Sequence, residues 1–126
     1  MNIPEELKYT SDHEWIKIEK NTVTIGITDY AQNELGDVVF LDIDSDLEEI
    51  GKGDTFGTIE AVKTVSDLFA PCSGKVVAIN DKLSDEPELI NSDPYGEGWI
   101  IKVELSDNSE LDSLLSADTY GTQIGL

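Results

Sequence analysis

The residues with the most chemistry to offer lie in one run, Gly57-Thr58-Ile59-Glu60-Ala61-Val62-Lys63-Thr64-Val65-Ser66-Asp67-Leu68-Phe69-Ala70-Pro71. At its centre is Lys63, whose amine can form a stable amide with an acyl group and lose its charge in doing so. On pattern alone Lys63 is one solvated cation among eight lysines. Just past the run stands Cys72 and far upstream stands His13, the single cysteine and single histidine of the chain. A Cys/His hydrolase would need the two within hydrogen-bond reach, and nothing in the sequence brings them together. The plainer reading of His13 is a backbone hydrogen bond that pins the start of a strand. One Cys and one His cannot assemble the usual zinc ligand sets, and one Cys cannot close an internal disulfide.

What must position Lys63 is ambiguous by pattern. Val62, Val65 and Phe69 are three and four apart, as on one face of a helix. Thr58, Ile59, Val62, Thr64 and Val65 are β-branched and favour extended backbone, with Gly57 and Pro71 as brackets. If extended, the run folds back as a hairpin with Lys63 near its tip. No Gly, Asn or Asp marks the turn, so the usual hairpin signal is missing.

The rest of the chain reads as strands. Ile16 and Ile18 alternate with Lys17 and Glu19; after a turn at Lys20-Asn21, Val23, Ile25 and Ile27 alternate with Thr22, Thr24 and Gly26. Val38 to Ile43 is a mostly apolar run, expected as a strand covered on both faces. Gly74 leads into Val76-Val77-Ala78-Ile79, and Trp99, Ile101, Val103 and Leu105 alternate late in the chain. Trp15 and Trp99 are expected in the core. Three short helices are expected: one capped by Thr28 and stopped by Gly36, one from Ser109 with Leu111, Leu114 and Leu115 as its apolar stripe, and one from Ser116 to Gly125. The acidic segment from Asp44 to Glu49 reads as a solvated loop. The expected fold is mainly β, a small sandwich or flattened barrel with short peripheral helices, formed by residues 1–126 as one domain.

Composition narrows the function. The chain has 126 residues, enough to bury roughly two-thirds of its unfolded surface without staples. Eight Lys+Arg, all lysine, stand against 27 Asp+Glu, for a formal net charge of −19. Nucleic acid is excluded as a partner, since phosphate neutralisation needs clustered cations. An anionic membrane would repel the chain. A partner with a basic docking surface is the natural complement. The first residues lack the basic region and apolar run of a signal peptide, and no apolar stretch approaches a membrane span, so a cytoplasmic protein is expected.

The sequence resembles the glycine cleavage H-protein family along nearly its whole length. The matching pieces run in order: Leu7-Lys8-Tyr9, His13-Glu14-Trp15, Val23 to Thr28, Ala31-Gln32 with Leu35-Gly36-Asp37, and Glu60-Ala61-Val62-Lys63. Then come Ser66-Asp67, Ala70-Pro71, Ser73-Gly74, Val77 to Asn80, Pro87-Glu88-Leu89, and Asn91 with Pro94-Tyr95-Gly96. Each piece alone is weak; together, in this order, they are specific. The departures are small: Ala61 where the family often has Ser, and Cys72 inside a Pro-x-Ser-Gly turn.

The resemblance implies a lipoyl-type β-sandwich presenting Lys63 on a hairpin, with lipoic acid attached by an amide. Such a protein is a shuttle and not itself an enzyme. It implies that a pyridoxal-phosphate glycine decarboxylase loads the arm with an aminomethyl group. A tetrahydrofolate-dependent aminomethyltransferase unloads it, releasing ammonia, and a flavin dihydrolipoamide dehydrogenase reoxidises the dithiol. It further implies that Glu60 and Gly74 help a lipoate-attaching enzyme recognise the hairpin, and that Glu14 and Asp67 line a cleft for the loaded arm. Those two carboxylates would hold the cargo's amine by charge-assisted hydrogen bonds. Cys72 is expected to be buried, since an exposed thiol beside a disulfide carrier would exchange with it. A monomer is expected, because a shuttle visits several partners. A relay protein that hands lipoate to 2-oxo acid dehydrogenases would share the same hairpin. A biotin carrier fits less well, as Val62 and Thr64 stand where methionines usually flank that lysine. An acidic adaptor without modification is the remaining alternative.

Overall fold

The computed structural model describes residues 2–44 and 46–125; Ser45, within the acidic segment, lies outside the described residues. Two antiparallel sheets are present among them. In chain order the strands are β1 (Lys8–Tyr9), β2 (Glu14–Glu19), β3 (Thr22–Ile27), β4 (Val38–Asp42), β5 (Glu49–Ile50), β6 (Thr55–Ala61), β7 (Val65–Phe69), β8 (Gly74–Ile79) and β9 (Ile101–Leu105). The six-stranded sheet runs β1-β2-β3-β9-β8-β5 and the three-stranded sheet runs β4-β6-β7. Short helices decorate them: α1 (Asp29–Leu35), α2 (Lys82–Asp85), α3 (Leu89–Ser92) and α4 (Ala117–Gln123), with a 3-10 turn at Asn108–Ser113. None is long and apolar enough to cross a membrane.

The alternating strands pair as their faces demand. Ile16 lies opposite Ile25, Ile25 opposite Ile101, and Val23 opposite Val103. All five are at most 1% exposed and pack against Ile59 and Leu68 of the facing sheet. Cross-strand pairs of this kind, joined to burial between two layers, account for most of the fold's cohesion. Trp15 is buried as expected and donates its indole N–H to the Pro94 carbonyl (2.9 Å). Trp99 is only half-buried; it precedes β9 rather than opening it, and Lys102 sits 5.0 Å over its ring.

Besides Trp99, two expectations are corrected and two helices were missed. The run from Val38 is not covered on both faces: Val39 and Phe40 are 55% and 48% exposed. β4 pairs only with β6, its register slips between Val38 and Phe40, and the outer face of its sheet meets solvent. The helix expected from Ser109 is a 3-10 turn capped two residues earlier, with the Asp107 carboxylate accepting the Ser109 N–H. The one-turn helices α2 and α3 were not expected, being too short to show a helical period. The helices capped by Thr28 and Ser116 form where the sequence put them, and Gly36 ends the first at φ 79°.

Gly74 shows what holds β8 to β9. A Cβ built there would run into the Glu104 carbonyl oxygen and the Val103 side chain of β9. The strands approach this closely only because the side chain is absent. Gly74→Ala is therefore expected to cost about 1–3 kcal/mol and lower the thermal midpoint by several degrees, with the fold retained. An unchanged midpoint would mean that β8 and β9 part at no cost.

Candidate functional site

The ambiguous run is extended. β6 and β7 pair from Thr55 with Phe69 to Glu60 with Val65, and Lys63 stands at the tip between them. The Ala61 N–H donates to the Thr64 carbonyl (2.9 Å). Among the described residues only His13 and Lys20 combine a side chain with positive φ, so the tip uses no left-handed position. That is why no Gly or Asn marks it. A contact from outside the hairpin does the fixing instead: the Val62 N–H donates to the Asp37 carbonyl (2.9 Å), just past the end of α1. The methylene stem of Lys63 lies against Gly36, where an added Cβ would sit 3.2 to 3.3 Å from three stem carbons. Lys63 is exposed and, among the described residues, joins neither of the two ion pairs.

Asn91 holds this seat together. Its amide donates to the Gly36 carbonyl (2.9 Å) and to the Gln32 side chain (3.0 Å), and its oxygen accepts the Val38 N–H (2.8 Å). The sequence placed Asn91 in a matching block and gave it no role.

On the other side of α1 lies a second cleft of about 270 Å³. One wall is Asp12, His13 and Glu14; another is Tyr30, Ala31, Glu34 and Leu35 of α1; the third is Ile59 with Ser66, Asp67 and Leu68 of the hairpin. Glu14 and Asp67 are thus brought together, while Lys63 sits across α1 from them in its own depression. Asp12 and Glu34, to which no role was expected to fall, make the cleft more acidic. Glu60 is exposed on the outer face of the three-stranded sheet, opposite Phe40 and Val65. Gly74 is buried in the other sheet.

Glu14 is 2% exposed. One carboxylate oxygen accepts the Phe69 N–H (3.0 Å) and the other lies 3.5 Å from the Thr10 hydroxyl. Burial pushes its pKa up to about 8, against the pull of the Phe69 N–H. Asp67 is exposed, paired in register with Thr58. His13 pins its neighbours through the backbone, as expected: its carbonyl accepts the Thr28 N–H (3.0 Å). Its ring does something else, with Nδ1 3.0 Å from the Tyr120 hydroxyl. Cys72 is fully buried in the main core and burial pushes its thiol up to about 11. A thiol so placed is inert, and the histidine it would need is bonded elsewhere.

The raised carboxyl makes stability depend on pH with a definite sign. Between its ordinary 4.5 and about 8 the folded chain keeps a proton that the unfolded chain has released. Folding stability contributed by this group therefore falls as pH rises through that window and stays reduced above it. Glu14→Gln keeps an acceptor for the Phe69 N–H and removes the charge. Thermal unfolding followed from about pH 5 to about pH 9 should show a shallower decline in the variant, which should be the more stable at the alkaline end. Parallel curves would mean that Glu14 ionises in the folded chain as freely as in the unfolded one.

The comparisons with known proteins agree with one another. The sequence pattern of the family described as glycine cleavage H-protein matches residues 7–125. The glycine cleavage system H protein of Staphylococcus haemolyticus is 60% identical over 125 residues, covering 99% of both chains. That of Staphylococcus saprophyticus is 57% identical over the same share of each. A crystal structure of a glycine cleavage system H protein from Mycobacterium marinum superposes with TM-score 0.90 at 41% identity, covering 98% of this chain and 100% of that one. Full-length coverage at such identity leaves one assignment: the chain belongs to the glycine cleavage H-protein family.

Proposed function

We propose that Lys63 carries an amide-linked lipoyl group, and that through it this chain moves the aminomethyl group of glycine from a pyridoxal-phosphate glycine decarboxylase to a tetrahydrofolate-dependent aminomethyltransferase. A member of this family is a carrier and not itself a catalyst. The observation that carries the residue assignment is the seat of Lys63: an exposed amine at a tip fixed by the Asp37 carbonyl, with its stem laid along Gly36. When bound, the lipoyl group supplies a disulfide that opens to take up a one-carbon unit and is later restored by a flavin dehydrogenase. The chain's own residues supply position and surroundings.

The cleft suits an apolar arm ending in an amine. Ile27, Leu35, Ile59 and Leu68 give it apolar walls, and Asp12, Glu14, Glu34 and Asp67 give it acceptors. Glu14 and Asp67 hold the ammonium end of the cargo; a cation beside Glu14 favours its ionised form, so capture releases a proton where the carboxyl was protonated. Keeping the amine protonated withholds the lone pair that would expel the thiolate.

Glu60 offers the lipoate-attaching enzyme a charge on the face that adjoins the tip, flanked by exposed Phe40 and Val65. Gly74 acts from inside, by keeping β8 close to β9 below the hairpin. The chain works as one lipoyl-carrier domain, a cytoplasmic monomer, visiting basic partner surfaces.

Two outcomes are expected. Lys63→Arg should fold normally and show no lipoyl-sized increment by intact mass after treatment with lipoate, ATP and a lipoate-attaching enzyme, while the parent gains one. An increment in the variant would move the attachment to one of the other lysines. Glu14→Gln and Asp67→Asn should each take up the lipoyl group normally yet lose the glycine-derived cargo faster once the decarboxylase is removed. Well-made charged hydrogen bonds are worth roughly 1.5–3 kcal/mol, and the exposure of Asp67 makes its effect the smaller, a few-fold. Cargo loss at the parent rate in both variants would take these carboxylates out of the mechanism.

A further inference from the structure

One hydroxyl from the far end of the chain is bonded to two walls of the cleft. Tyr120 of α4 is fully buried and its ring stacks on Tyr9 at 4.8 Å, nearly parallel. Its hydroxyl lies 2.7 Å from Thr28 Oγ1, the cap of α1, and 3.0 Å from His13 Nδ1, beside Glu14. The order of the protons follows from counting. Thr28 Oγ1 already accepts the Ala31 N–H (3.1 Å), and Thr28 is fully buried, so its own proton must go to a protein acceptor. The Tyr120 oxygen is that acceptor, which leaves the tyrosine proton for His13 Nδ1. The imidazole is then neutral, with its proton on Nε2.

We propose that Tyr120 is a positioning residue of the cleft: by passing hydrogen bonds in order from Thr28 to His13 Nδ1, it fixes His13 as the uncharged Nε2–H tautomer and ties α4 to the two walls. This rests on the cleft being the cargo's resting place. Among the described residues His13 is the only basic side chain lining it. A charged imidazolium there would compete with a cationic cargo for Glu14 and Asp67. Protonating Nδ1 would turn the whole chain of hydrogen bonds around and strand the Thr28 proton in the interior, which penalises the charged form.

The surroundings test this balance from both directions. Asp12 from the preceding turn and Glu34 from α1 favour an imidazolium, Glu14 of β2 is itself protonated where the imidazole titrates, and Tyr30 of α1 packs on the ring at 4.9 Å. Burial outweighs the pull of Asp12 and Glu34, and His13 titrates below its ordinary 6.5. Burial also holds the Tyr120 phenol above its ordinary 10, so it keeps the proton it must donate.

The experiment is imidazole nitrogen NMR on the unmodified chain, together with cargo release from the lipoylated chain. In the parent, His13 is expected as the neutral Nε2–H tautomer near pH 7. Tyr120→Phe keeps the stack on Tyr9 and removes only the hydroxyl. It should mix the tautomers and raise the His13 pKa by roughly half to one unit. Cargo loss should then be faster than in the parent by a few-fold near pH 6 and by less near pH 8, since only the charged imidazole competes. Thr28→Ser, which retains the donor, should keep the parental tautomer. An Nδ1–H tautomer in the parent overturns the proposal even if Tyr120→Phe does not fold. So does an unchanged tautomer and titration in Tyr120→Phe, or a faster cargo loss that is the same at both pH values. If instead the parent protects its cargo no better than free lipoamide does, the cleft fails as the resting place while the NMR still decides what Tyr120 does to His13.

Discussion

The hydrogen bond from the Phe69 N–H to the Glu14 carboxyl links the open edge of one sheet to the start of a strand in the other. β7 pairs with β6 on one side only, so its outer edge presents backbone donors without a strand to receive them. Glu14, at the start of β2 in the other sheet, accepts one of them at 3.0 Å. A neutral acceptor could have done the same at less cost in desolvation. Because the acceptor is a carboxyl buried to 2% exposure, the group that links the sheets is also poised to ionise when a cation arrives. On the proposed function, inter-sheet bonding and cargo recognition fall to the same side chain.

Around that bond, α1 partitions the site. The helix is held at its start by Thr28 and stopped by Gly36, and each end serves a different function. At its start, Thr28 meets Tyr120 and through it His13, on the cleft side. At its end, the positive φ of Gly36 leads into Asp37, whose carbonyl fixes the hairpin tip, and its bare Cα makes room for the lysine stem. The helix therefore stands between Lys63, the proposed attachment point, and the cleft proposed to receive the arm. On the proposed function, an arm fixed at Lys63 passes over or around α1 to reach Glu14. The anchoring by Asn91, which ties Gly36, Gln32 and Val38 together, keeps that divider from shifting when the tip is pulled.

How much of this could be read from the chain depended on how far apart the interacting residues lie. β2, β3 and β9 were legible because their apolar residues alternate in the sequence, although only β9 buries alternate residues, β3 being buried from Val23 to Ile27 and Ile18 of β2 being exposed. The two long caps were legible for a local reason: Thr28 and Ser116 accept N–H groups three residues on. β4 was misread because apolar character was taken as coverage, whereas Val39 and Phe40 sit on an uncovered face. The hairpin stayed ambiguous because its tip is fixed from Asp37, outside the run, rather than by a turn residue within it. Lys63 itself was picked out by family resemblance, not by pattern. Tyr120 and Asn91 were illegible as site residues, since their partners are 107, 92 and 53 to 59 positions away. Period and propensity carry no information at that range.

The charge of the chain is consistent with a carrier whose cargo and partners bear the opposite sign. A net charge of −19 makes two copies repel, which favours separate carriers over clusters, and it draws a cationic cargo toward the surface from any side. Long-range attraction does not choose among the acids, however, because solvent and salt level most of them. On the proposed function the cleft chooses by burial: among the described residues Glu14 is the one buried acid, at 2% exposure, where a nearby ammonium is screened least. Acylating Lys63 removes a cation from the other side of α1, so the loaded arm leaves no fixed positive charge at its root to rival the one at its end. If His13 is neutral as proposed, the amine of a cargo in the cleft meets no rival cation among the described residues that line it.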